Sequence, residues 1–141
     1  MIFYFFGTFY FTNPLVLWKS HYELTYRPID ASGDILPVLS AADLLTGIRA
    51  ETQLIRDRLN LLTGDWWENP EWGNGVLELL RESRLTETDR QILANYLSDY
   101  IRKTPGVVDV REVKCSFEGG QFRYECTVET GAGTARISYG E

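Results

Sequence analysis

Histidine, cysteine and positive charge are all scarce in this chain, and each scarcity removes a class of function. One histidine, His21, among 141 residues leaves no His-based triad and no zinc cluster to assemble. Two cysteines, Cys115 and Cys126, with no CxxC and no Cys/His spacing, make neither a disulfide framework nor a metal site. Fourteen Lys and Arg stand against 20 Asp and Glu, giving a formal net charge of −6. The longest basic run is the pair Arg102-Lys103. Nucleic acid and anionic membranes both want a concentrated positive patch, so neither is an expected partner. The glycines of Gly119-Gly120 and Gly131-Ala132-Gly133 join strand to strand, not strand to helix, so no phosphate cradle forms and no cofactor is expected. Internal repeats and low-complexity tracts are absent.

Aromatic residues are abundant, at 13% of the chain. Met1 to Trp18 is uncharged and rich in Phe and Tyr. It lacks the basic n-region and small-residue cleavage site of a secretory signal. Gly7, Thr8, Thr12, Asn13 and Pro14 interrupt it as a membrane span. Residues 1–21 are read as an N-terminal aromatic extension ahead of a domain at 22–141, with a membrane anchor as the alternative. One domain with a real core suits this length.

The chain is organised around Leu61-Leu-Thr-Gly-Asp65-Trp-Trp-Glu-Asn-Pro70-Glu-Trp-Gly73, which holds three of the four tryptophans. Gly64 is placed as a helix C′ residue and Asn69-Pro70 forces an extended or turn conformation. Leaving a large apolar side chain in water costs about 1.5–3 kcal/mol. This loop is therefore either held onto the core or presented to a partner.

Periodicity assigns the rest. Tyr22, Leu24 and Tyr26 alternate as a half-buried strand, Asp30 to Asp34 is a turn, and Ile35 to Leu39, with Pro37, is an edge strand or extended arm. Ile48, Thr52, Ile55, Leu59 and Leu62 share one face of a helix from Gly47 to Thr63. Val76 to Glu82 is a short helix. Thr86 and Asp89 form a capping box opening a helix whose apolar face is Ile92, Tyr96, Leu97, Tyr100 and Ile101, stopped by Thr104-Pro105-Gly106. Pairing Phe117 with Phe122 across Gly119-Gly120 sets Cys115 against Tyr124 and Val113 against Cys126, all on one face. A third strand, Thr134 to Tyr139, puts Ala135, Ile137 and Tyr139 on one face. The cysteines fall diagonally, which predicts reduced, buried thiols. The predicted class is α+β: two main helices on a small C-terminal antiparallel sheet, with an N-terminal extended arm.

Asp65, Glu68 and Glu71 are the one carboxylate constellation. Two acids flanking a cleft, beside tryptophans that stack on sugars, is a glycosidase layout. The alternative is that the tryptophans bury and Asp65 or Glu68 accepts from turn amides. Tyr96 and Tyr100 read as core, and Arg102 and Lys103 offset the helix dipole.

These ordered features resemble the baseplate wedge proteins of contractile phage tails, the sheath-initiator family, particularly its Mu-like branch. The residues that carry the resemblance are Tyr26-Arg-Pro-Ile-Asp30 with Gly33-Asp34, the helix Ala50 to Leu59, Leu61 to Pro70 with Gly73, Ile101 to Val107, and the terminal meander with Thr130-Gly131. Asp65 departs from the family's more frequent Gly-Glu-Trp. Thr104-Pro105-Gly106 stands where another branch carries Glu-Pro-Arg, so that motif's roles are not transferred. Residues 1–20 match nothing in the family. The resemblance implies a non-enzymatic virion subunit, assembled in the host bacterial cytoplasm, that sits on the tail baseplate, joins other wedge proteins to the first ring of tail sheath subunits, and offers a sheet edge to sheath arms. Trp66, Trp67, Trp72, Arg123, Glu125, Thr127, Arg136 and Ser138 are the expected partner-binding residues. A lysozyme-like cell-wall glycosidase is the alternative.

Overall fold

The computed structural model describes residues 25–140. The readings for residues 1–21 and for Tyr22 to Leu24 lie outside them. Three helices precede a three-stranded sheet: α1 (Gly47–Asn60), α2 (Val76–Glu82), α3 (Glu87–Arg102), β1 (Val107–Glu118), β2 (Gln121–Thr130) and β3 (Gly133–Tyr139). The sheet is antiparallel in the order β1-β2-β3, so β2 is central. This is the expected α+β architecture, and Val76–Glu82 is helical as read.

The arm before α1 is held by isolated contacts rather than by strands. Tyr26 bridges Leu45 and Ile29 bridges Ile35, while Gln53 donates from Nε2 to the Arg27 carbonyl at 2.7 Å. The Asp30–Asp34 turn forms as predicted, its carboxylate accepting from the Ser32 and Asp34 amides. Ile35 to Leu39 is an exposed extended arm, Leu39 being 93% accessible. A short 3-10 turn, Ala41–Asp43, was not expected.

Helix α1 ends at Asn60, not Thr63. The Asn74 amide donates to the Leu61 carbonyl at 2.7 Å and the Thr63 amide to the Asn74 carbonyl at 3.3 Å. That pairing draws residues 61–63 out of the helix. Gly64 therefore lies in the following loop, at φ +91°, rather than at a helix C′ position. The buried face of α1 is Ala50, Gln53, Leu54, Ile55 and Leu59. Ile48 and Thr52 are half-buried.

Helix α3 opens with the expected capping box: Thr86 Oγ1 accepts from the Asp89 amide at 3.2 Å, and Asp89 Oδ2 accepts from the Thr86 amide at 3.0 Å. It lies on the sheet along Leu93, Leu97 and Ile101, with Ser98 also buried. Ile92, expected on this face, is 51% exposed. The helix rests on its i, i+4 row from Leu93 instead, which turns Tyr96 and Tyr100 to the flank.

The hairpin register is as predicted at Phe117↔Phe122 and Cys115↔Tyr124. The expected pair Val113↔Cys126 is replaced by a bulge in which Glu112 and Val113 together stand opposite Cys126. Glu112 and Val113 are inserted between the pairs Arg111↔Thr127 and Lys114↔Glu125, with Glu112 at φ +51° and Val113 38% exposed. Parity explains the bulge. Val110 faces Val128 and Cys115 faces Tyr124, both on the helix side. An odd separation cannot keep two residues on one face of a regular strand, and one extra residue repairs it. In β3, Ala135, Ile137 and Tyr139 share the inner face as expected, with Ile137 fully buried. Both cysteines are free, Cys126 buried and Cys115 half-buried.

Candidate functional site

Two surfaces are unlike the rest of the molecule: an aromatic cleft at the ends of α1 and α3, and the side of the sheet turned away from the helices. The cleft begins with Asn74. Its side chain, with no exposure, donates from Nδ2 to the Leu59 carbonyl at 3.0 Å and accepts from the Val76 amide at 3.1 Å. One residue thus closes the last turn of α1, opens α2 and ties the base of the tryptophan loop. Gly73 lets the loop return against its own entry. At φ +140°, an added Cβ would lie 2.6 Å from the Leu62 carbonyl carbon.

The loop displays its tryptophans. Trp66 and Trp72 meet edge to face with centroids 5.0 Å apart. Trp67 is 81% and Trp72 55% exposed. The opposite wall is the stacked pair Tyr96 and Tyr100, centroids 6.3 Å apart, with the Arg58 guanidinium 4.8 Å above the Tyr100 ring. Hydrogen bonds lock this wall. Tyr96 Oη accepts from the Gly75 amide at 2.7 Å, Tyr100 Oη donates to the Arg58 carbonyl at 3.0 Å, and Arg58 Nη1 donates to Thr104 Oγ1 at 2.8 Å. Between the walls lies about 930 Å³ of open cleft. Burial pushes the Tyr100 hydroxyl above its ordinary pKa, with Arg58 pulling the other way. It is a neutral donor at physiological pH.

Asp65, Glu68 and Glu71 border the same cleft. All three are exposed. Asp65 Oδ2 accepts from the Leu62 amide at 3.0 Å, the turn-closing role expected for a loop acid. Burial pushes both thiols up, so Cys115 and Cys126 are protonated rather than poised as nucleophiles. Among the described residues no group of His, Cys, Asp or Glu is arranged to hold a metal ion, and no helix is long and apolar enough to cross a membrane.

The polar residues expected to meet a partner come together on the sheet's open face. Glu125 lies opposite Ser138 and Thr127 opposite Arg136, with Arg123 opposite Ser116 on the other side. Arg123, Glu125 and Thr127 are on the central strand, however: Glu125 and Thr127 have partners in both β1 and β3, and Arg123 is paired with Ser116 of β1. At Glu125 and Thr127 only side chains are offered, and Thr127 already donates to Glu112 at 2.7 Å. Unpaired backbone belongs to β1 and β3, which among the described residues pair only with β2. Sequence reasoning missed Asn74, and it read Tyr96 and Tyr100 as core, against which they do pack half-buried, without seeing that they also wall the cleft. Their i, i+4 aromatic spacing beside a tryptophan loop was the available signal.

No family model matches the chain, and no curated protein matches it. Among solved structures, the chain is similar to a crystal structure from Geobacter sulfurreducens, with a TM-score of 0.55 and 16% identity over 75% of this chain and 95% of that one. At that identity the likeness is one of fold. The chain shares its architecture with a protein described as a "putative tail lysozyme".

Proposed function

We propose that this chain is a structural subunit of a contractile phage tail, or of a tail-like injection machine, that joins the baseplate wedge to the first sheath ring and starts sheath assembly. The observation that carries the reading is a three-stranded sheet whose two outer strands each have one neighbour among the described residues. Such edges accept a partner's strand through main-chain hydrogen bonds. The exposed tryptophan cleft supports it as a second contact, because interface cores favour large aromatic anchors. The fold shared with a tail protein and the resemblance of the Gly64-to-Pro70 run to sheath initiators point the same way. Deleting the gene from the producing cell is expected to leave baseplates without polymerised sheath, visible by electron microscopy. Normal sheaths in the deletion strain would refute the proposal.

A glycosidase reading is favoured by the neighbour's description and by Glu68 and Glu71 beside a sugar-sized aromatic cleft. The proposal holds that the purified chain does not hydrolyse peptidoglycan. Muralytic activity that Glu68→Gln abolishes without unfolding the protein would establish the enzyme instead.

A further inference from the structure

We propose that β3, not β1, is the edge that receives the neighbouring subunit's strand, and that this strand alternates apolar with acidic residues. The inference rests on the assembly role proposed above.

Backbone geometry separates the two edges. The β2–β3 hairpin turns over Gly131 and Ala132 and closes on Thr130↔Gly133. A two-residue hairpin closes on a hydrogen-bonded pair, and such pairs recur at every second residue. The N–H and C=O groups of Thr134, Arg136 and Ser138 therefore face outward. β3 pairs with β2 from Tyr139 to Gly133 with no register shift. The same rule, applied from Glu118↔Gln121, turns Phe117 and Cys115 outward on β1. Beyond them lie the bulge at Glu112 and Val113 and a second irregularity between Val107 and Asp109. A straight partner strand would lose its repeat there, and bulges are among the devices that blunt an edge.

Charge separates them too. Arg49 and Arg56 border a groove of about 360 Å³ along α1, together with Ile29, Leu36 and Ile48. α1 is the helix that overhangs β3: the Ile48 side chain lies 3.8 Å from where a Cβ on Gly133 would stand. Arg136 projects from β3 on the open face. In a chain of net charge −6, these three arginines have no carboxylate partner among the described residues. On β1, Arg111 is held by Asp109 at 3.0 Å and by Glu129 at 2.8 Å, which leaves Lys114, next to the bulge, as that strand's one cation without an ion pair among the described residues. An incoming strand therefore meets an apolar surface at Ile48 on its inner side and unpaired positive charge at Arg136 on its outer side. Alternating apolar and acidic residues complement that arrangement.

The test uses the full chain in cells that make the particle, with sheathed tails counted by electron microscopy and each purified variant checked by thermal melting. Ser138→Pro removes an outward donor of β3 and breaks no internal ladder bond, and Cys115→Pro does the same on β1. Arg136→Glu reverses the charge and leaves the backbone intact, so it decides the matter if Ser138→Pro fails to fold. Ser138→Pro is expected to cut sheathed tails about fivefold, the factor for one lost interstrand hydrogen bond, and Arg136→Glu to cut them through charge repulsion, with Cys115→Pro near wild type. Loss with Cys115→Pro alone overturns the choice of edge and leaves the assembly role standing. Wild-type sheath counts for all three folded variants overturn the assembly role itself. Amide exchange on the free protein adds a further check: Thr134, Arg136 and Ser138 are expected to exchange rapidly. Protection of these amides in the isolated chain would mean that its own residues cover the edge, and would refute the inference.

Discussion

Replacing Asn74 tests how the tryptophan loop is held. In Asn74→Ala the Leu59 carbonyl and the Val76 amide, both in a buried environment, lose their side-chain partner. Each lost bond costs about 1 kcal/mol, and stranding a buried polar group adds more, so the variant should lose about 3 kcal/mol. For a domain of this size that lowers Tm by about 10 °C. Asn74→Asp sharpens the test. Its carboxylate keeps the Val76 amide as a donor but sets a lone pair against the Leu59 carbonyl at a site with no exposure. That environment raises the folded-state pKa above the unfolded value. The protonated acid, which can still donate to Leu59, is therefore favoured at low pH, and the stability it supplies is lost as pH rises through the folded pKa. Urea melts followed by circular dichroism should show Asn74→Asp near wild type at about pH 4 and well below it at about pH 7. An Asn74→Ala loss under about 0.5 kcal/mol, or an Asn74→Asp deficit that does not change with pH, would refute the account of Asn74 as the clamp of this loop.

Two further predictions concern how α3 is built and seated. Thr86→Ala should cost about 1 kcal/mol at neutral pH through loss of the N-cap. The backbone amide and hydroxyl of Thr86 hold the Asp89 carboxyl below its usual range. The stability this gives is present above the unfolded pKa and lost as pH falls through the folded one, so the gap between variant and wild type should narrow below about pH 4 in a melting series. In the core, Ser98 Oγ donates to the Ala94 carbonyl at 2.7 Å and lies 2.8 Å from Tyr124 Oη, so the tyrosine supplies the proton of their shared bond. Tyr124→Phe should cost about 1 kcal/mol and Ser98→Ala about 2, because the second leaves a buried phenol with only the Cys126 thiol beside it. Equal losses in chemical denaturation would contradict that assignment of the proton.

What the sequence determined by itself was whatever depends on neighbours a few residues apart. The Thr86–Asp89 capping box needs only a hydroxyl and a carboxylate three positions apart. The Phe117↔Phe122 register needs a Gly-Gly turn and matching parity on either side. The stop at Thr104-Pro105-Gly106 needs only local backbone restrictions. The tryptophan loop was legible as a place of consequence for the same reason, since so many indoles between two helical patterns must be either buried or used.

Tertiary structure decided what those local rules leave open. Helix α1 stops at Asn60 because Asn74, far along the chain, competes for the Leu61 carbonyl and wins. Val110 and Cys115 stand at an odd separation in the sequence, but that becomes a bulge only because α3 requires both on the same face. The Tyr96–Tyr100 wall stands across the cleft from the tryptophan loop because α3 rests on its Leu93 row instead of the Ile92 row. Arg123, Glu125 and Thr127 were chosen for their face of the strand. Their place on the middle strand of the sheet follows from strand order, and strand order is settled by contacts between residues that the period of a single strand cannot see.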